Sequence, residues 1–164
     1  MDNPTQQQNL AEFSLVVRQS SLKRFQVVPS GMENWRITPG SMSIADLARH
    51  MIRADEWLFR KVADPNIEVI TGNPGEVSIT QREQYDALLA RLAETGERRA
   101  EFIRSMSEEE LAKRIPDGHY SSGRDSTVWW ILVRANLDHE THHRGALAVY
   151  LRVLQETKGA IFDF

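Results

Sequence analysis

The chain has 164 residues, 41% apolar and 26% charged, enough for one domain to bury about two-thirds of its unfolded surface and too apolar for disorder. Its 20 basic and 23 acidic side chains are spread along the length and leave a net charge of -3, which offers no basic face to a nucleic-acid backbone. There is no cysteine, so disulfides, a cysteine nucleophile and thiolate metal sites are excluded. No apolar run approaches the roughly 20 residues of a membrane span, and the polar first eight residues lack a signal peptide's apolar stretch; the expected location is the cytoplasm, with no membrane or nucleic-acid partner.

Helical periodicity marks four segments and strand alternation none. A first helix is predicted over residues 10–27, with Leu10, Phe13, Val17, Ser20 and Arg24 on one side, stopping before Pro29 and Gly31. A second starts at Ser43, whose hydroxyl can cap the first amides with Asp46 three residues on. Its stripe is Ile44, Leu47, Met51, Ala54, Leu58 and Val62, and Pro65 ends it.

After a long loop through Gly72 and Gly75, Thr80 with Glu83 reads as a capping box for a third helix. Tyr85, Leu88, Leu89, Leu92, Phe102, Ile103 and Met106 supply its core side, and Gly96 weakens its middle. Ser107 with Glu110 caps a short helix that ends before Pro116. A polar loop through Gly118 and Gly123 follows, and no sheet is expected.

The fourth helix is predicted from Asp125 or Ser126 to Lys158, with Gly159 as its stop. Val128, Ile131, Leu132, Ala135, Ala146, Val149 and Val153 make its stripe. The polar His139 and His143 interrupt the centre of that stripe. The expected fold is all-α: a single-domain four-helix bundle over residues 1–164, with long crossover connections.

Four residues apart on a helix, His139 and His143 lie about 40° apart around the axis and one turn apart along it. Both rings can reach one point. His50 falls on the core-facing edge of the second helix beside Leu47, Met51 and Ala54, where an unpaired imidazole is costly to bury. The three can share one divalent ion; a hydrogen-bonded core histidine and a chance pair of surface histidines are the alternatives. Neutral nitrogen ligands suit zinc first, then nickel or iron, and three protein ligands leave a position open. His142 points about 100° away from His143 and reads as supporting or exposed, and His119 as solvated.

Residues 139–143 also spell HExxH, the zinc-peptidase pattern in which the glutamate, here Glu140, is general base. Against that reading, no later carboxylate is placed to complete the ligand set: Glu156 is too far along the same helix.

Residues 43–57 (SIADLARHMIRADEW) and 138–147 (DHETHHRGAL) resemble the DinB-like superfamily, which includes the bacillithiol transferases and mycothiol-dependent enzymes of similar fold. The resemblance implies a four-helix bundle with a divalent metal on His50, His139 and His143, and makes the HExxH match a coincidence. The usual continuation HHRGQ is here HHRGA, with Ala146 in place of the glutamine. Homodimers are common in the family, and Trp129, Trp130, Leu137 and Leu151 are candidates for such a contact or for the core. Gly145, inside a helix, is expected to face a close neighbour, and Arg144 to take a salt bridge.

The resemblance implies a metal-dependent transferase acting on a small-molecule substrate. Without a cysteine in the chain, the thiol would be an external low-molecular-weight one attacking an electrophile. The alternatives are a zinc hydrolase using Glu140, and a non-catalytic metal-binding helical protein of the stress response.

Overall fold

The structure is a computed structural model that describes residues 3–117 and 124–159. The bundle consists of α1 (Gln6–Gln26), α2 (Ile44–Ala63), α3 (Arg82–Ser105) and a last helical run. That run comprises α5 (Val128–Trp130), a π-helical stretch (Ile131–Asp138) and α6 (His139–Lys158). A short α4 (Glu108–Ala112) and two strands, β1 (Arg114–Asp117) and β2 (Arg124–Thr127), lie before it. The all-α fold class holds, and so does the long crossover.

The predicted caps mostly form. Ser43 Oγ accepts from the Asp46 amide at 3.0 Å while Asp46 Oδ2 accepts from the Ser43 amide at 2.8 Å, a reciprocal lock on the start of α2. Ser107 and Glu110 do the same for α4. At α3 the lock sits one residue later than expected: Gln84, not Glu83, accepts from the amides of Thr80 and Gln81. Thr5 with Gln8 starts α1 at Gln6, earlier than its apolar residues suggest. Gly159, at φ 65°, ends α6 in the left-handed conformation that glycine tolerates.

Apolar side chains gather at two ends. One joins Phe25 late in α1, Leu47 and Met51 early in α2, Tyr85 early in α3, and Leu151 and Leu154 late in α6. The other joins Ala11 early in α1, Leu58 late in α2, Ile103 late in α3, and Ile131 and Ala135 at the start of the last run. So α1 and the last run point one way, and α2 and α3 the other. Because α2 and α3 are parallel, residues 64–81 must travel back along a helix about 30 Å long. Asp46 fastens this crossover by accepting from the amides of Gly75 and Val77, both at 2.9 Å.

Four expectations fail, each for a physical reason. First, β1 and β2 do pair, antiparallel, with Ile115 opposite Ser126; four residues each are too few for alternation to show. The loop readings at His119, Gly118 and Gly123 fall outside the described residues. Second, α1 buries the predicted Val17, but with it Gln7, Ala11, Ser14, Arg18, Ser21 and Phe25, while the predicted Phe13 is 56% exposed. That face is helical in spacing but polar, because its partners are buried charges. Third, α6 buries Leu147, Tyr150, Leu151 and Leu154, whereas Ala146 and Val153 are only half-buried and Val149 is exposed. Fourth, the last run starts at Val128 and passes through the π-helical stretch, a rare form often found at functional sites.

Between the two apolar ends, every long helix turns polar inside. Ser14 and Arg18, His50 and Asp55, Thr95 and Arg99, and Asn136, Glu140 and His143 are all buried.

Candidate metal centre

His50 comes from α2, and His139 and His143 from the first turns of α6. His139 Nε2 lies 3.1 Å from His50 Nε2 and 2.8 Å from His143 Nε2. The three rings stand nearly perpendicular, with centroids 4.4 to 4.8 Å apart. His50 and His143 are buried and His139 half-buried. Among the described residues these three form the only group of His, Asp and Glu side chains close enough to hold an ion.

Hydrogen bonds alone cannot satisfy this arrangement. A ring nitrogen carries either one hydrogen or one in-plane lone pair, so His139 Nε2 can serve only one of its two neighbours. The other contact is left without an aligned hydrogen bond. A cation at the common point meets all three lone pairs. Tetrahedral metal–nitrogen bonds of about 2.0–2.1 Å would put neighbouring nitrogens about 3.3–3.4 Å apart, a few tenths of an ångström wider than the two observed separations of 3.1 and 2.8 Å.

The electrostatics agree. Burial pushes all three imidazoles below their usual value, and the neighbouring rings add to this for His139, held at about 4, and His143, held at about 3. At neutral pH they are uncharged and their lone pairs available. The outer Nδ1 atoms of His50 and His139 are buried with no hydrogen-bond partner among the described residues. The crossover presses against His50 here: a Cβ on Gly72 would stand 2.7 Å from His50 Nδ1.

Glu140 faces other work than the HExxH reading requires. Its carboxylate accepts from Arg18 Nε and Nη2 and from Arg99 Nη1, at 2.7 to 2.9 Å. Burial would raise its pKa, but the two guanidiniums override this and hold it at about 2. A carboxylate so committed is a poor base at the histidine centre.

Comparison with known proteins agrees with this architecture. The DinB superfamily matches residues 16–147. The chain belongs to the DinB superfamily. Among solved structures it is similar to a DinB-like protein, YjoA, from Bacillus subtilis, with TM-score 0.65 and 21% identity over 94% of this chain and 96% of that one. No protein with a curated description matches.

In this DinB-superfamily chain the structure brings together the three histidines singled out from sequence. His142 is exposed, as expected, with its ring 5.0 Å from that of His143. An open cleft of about 530 Å³ is lined by Arg134, Asp138, the half-buried His139, Thr141 and His142. Arg144 donates to the Val17 carbonyl at 3.3 Å and makes no salt bridge among the described residues. Among the described residues nothing beyond its own turn of helix lies within 4 Å of where a Cβ on Gly145 would stand, so the expected close neighbour is not found there. Leu137 and Leu151 are core, and Trp130 is 44% exposed. Sequence reading missed Arg18, Asp55 and Arg99; the one available signal was the helical spacing Ala11, Ser14, Arg18, Ser21, Phe25 through α1.

Proposed function

We propose that this protein is a divalent-metal-dependent enzyme that transfers an external low-molecular-weight thiol to an electrophilic small molecule. His50, His139 and His143 are the ligands, zinc is the first choice of ion, and nickel or iron come next. The observation that carries the reading is the meeting of three neutral Nε2 atoms that protons alone cannot satisfy. When bound, a divalent ion supplies Lewis acidity, lowering the pKa of a thiol or of water.

The chain's own residues define the rest. Three histidines leave room for an exogenous group. The low pKa values of His139 and His143 keep them unprotonated while that group ionises. The cleft beside His139 lets a small substrate approach from one side, with Thr141 and His142 on its wall. The absence of cysteine makes any thiol an external one. The same reading takes the protein as a cytoplasmic, single-domain homodimer, with the exposed Trp130 in the contact.

The test is elemental analysis of protein purified without an affinity tag, followed by transfer assays from a panel of cellular thiols to electrophilic acceptors. One ion per chain is expected, with transfer abolished in His143→Ala. Loaded protein that moves no thiol overturns the transferase reading. Wild type that neither carries nor takes up metal overturns the site.

A further inference from the structure

The buried charges beside the histidines have a connectivity that the proposed chemistry does not use. Asp55 lies five residues after His50 on α2, and Glu140 directly follows His139 on α6. Arg18, from α1, donates to Asp55 Oδ2 at 2.8 Å and to both oxygens of Glu140 at 2.9 Å. Arg99, from α3, donates through Nη1 to Asp55 Oδ1 at 2.9 Å and to Glu140 Oε2 at 2.7 Å. Each guanidinium therefore ties the same two carboxylates together. Those carboxylates stand on the two helices that carry the histidines, while α1 and α3 carry none of the three.

We infer that Arg18 and Arg99, by bridging Asp55 to Glu140, are positioning residues that fix α2 against α6 and so bring His50 onto His139 and His143. This deepens the metal-site reading and rests on it. Helix cohesion alone does not explain the network, because apolar residues of similar volume hold helices together as well or better. What apolar contacts lack is direction. A bidentate guanidinium–carboxylate pair fixes geometry, whereas a slip of one residue shifts a helix by about 1.5 Å, far outside the ~0.2 Å tolerance of a ligand distance.

The arginines are also held from behind. Arg99 Nε donates to Ser14 Oγ at 2.7 Å and Nη1 to Asn136 Oδ1 at 2.8 Å. Arg18 Nη1 donates to Thr95 Oγ1 at 3.2 Å and to the Leu92 carbonyl. Gly96 leaves space for the Arg18 stem, since a Cβ there would stand 2.6 Å from Arg18 Cγ. Neither side chain can follow a shifted helix without breaking several bonds.

The test replaces the network by apolar residues: Arg18→Met, Asp55→Leu, Arg99→Met and Glu140→Leu together. Three readouts are needed: circular dichroism with thermal melting, ring-to-ring nuclear Overhauser contacts between His50 and the α6 histidines in metal-free protein, and cobalt(II) affinity with its visible spectrum. The expected result is a helical protein that melts no lower than wild type, loses the ring contacts and binds cobalt at least about tenfold more weakly. A folded variant with ring contacts and cobalt spectrum unchanged overturns the inference. Should the quadruple variant not fold, Arg99→Lys decides, because it keeps the charge and loses the fork: unchanged ring contacts overturn the positioning role and lost contacts support it. Wild type that shows the ring contacts but takes up no cobalt sinks the metal reading, and the ring contacts of the variants still judge the network.

Discussion

The two apolar ends of the bundle and the polar layer between them are held by different kinds of interaction. At the ends, residues such as Leu92, Leu151 and Leu154 are buried against many neighbours, and no single contact decides the outcome. In the middle, two arginines, two carboxylates and three imidazoles have assigned partners at fixed distances. The ends make the helices associate; the middle sets how they align. Removing a group should therefore give graded losses at the ends and steep, partner-dependent losses in the middle.

The steepest loss is expected for Arg99→Ala. It leaves Asp55 and Glu140, both buried, with Arg18 as their only guanidinium among the described residues, and breaking such a pair costs about 3–5 kcal/mol. Urea unfolding measures this, and adding Asp55→Asn should recover part of it by removing the unmatched charge. A loss below about 1 kcal/mol would make the middle no more than another packed layer.

Acid probes the same layer without mutation. The imidazoles of His139 and His143 sit at about 4 and about 3 when folded, against 6.5 when free. Between those values the unfolded chain binds more protons than the folded one. Stability of the metal-free protein is thus complete above about pH 6.5 and falls as the pH drops toward 4 and 3. Glu140, lowered from 4.5 to about 2, adds a second contribution that is present above its free value and lost as the pH falls through about 2. Melting temperatures from pH 7 to pH 2 should decline from 6.5 downward, and His143→Leu should flatten the first part of the decline. A flat profile down to pH 4.5 would contradict buried neutral imidazoles.

At the ends, Leu151→Ala should cost about 2–4 kcal/mol, read by the same urea titration. No second-site charge change should restore it. That contrast with Arg99→Ala separates volume lost from partner lost.

The same division explains what could be read from the sequence. In α2 the predicted stripe is buried at Ile44, Leu47, Met51, Ala54 and Leu58 and half-buried at Val62, because apolar partners select apolar residues and leave a periodic trace. The three histidines were legible for a related reason: polar rings interrupting apolar faces stand out. In α1 the buried face is Gln7, Ser14, Arg18 and Ser21 among apolar residues, and nothing in hydrophobicity marks it. Its logic lies in Asp55, Arg99 and Glu140, far away in the chain. In α6 the position after His143 could be continued by Ala146 or by Leu147, and only contact with the other helices selects Leu147.

The smallest expected effects come from two helical glycines, of which Gly96, and not Gly145 as the sequence suggests, has the close neighbour. Gly96 lies in the polar layer, where a methyl group would stand 2.6 Å from Cγ of the immobilised Arg18. Gly96→Ala should therefore destabilise by about 1–3 kcal/mol despite alanine's better helix propensity. Gly145 is exposed in α6, and no described residue beyond its own turn of helix comes within 4 Å of where a methyl group would stand. There alanine meets no obstacle and restricts the unfolded chain, so Gly145→Ala should stabilise by about 0.5–1 kcal/mol. Opposite signs in paired urea titrations would show that the arginine layer, and not helix propensity, requires the first glycine. A stabilising Gly96→Ala would mean that Arg18 can move, and the aligning role of the layer would lose its support.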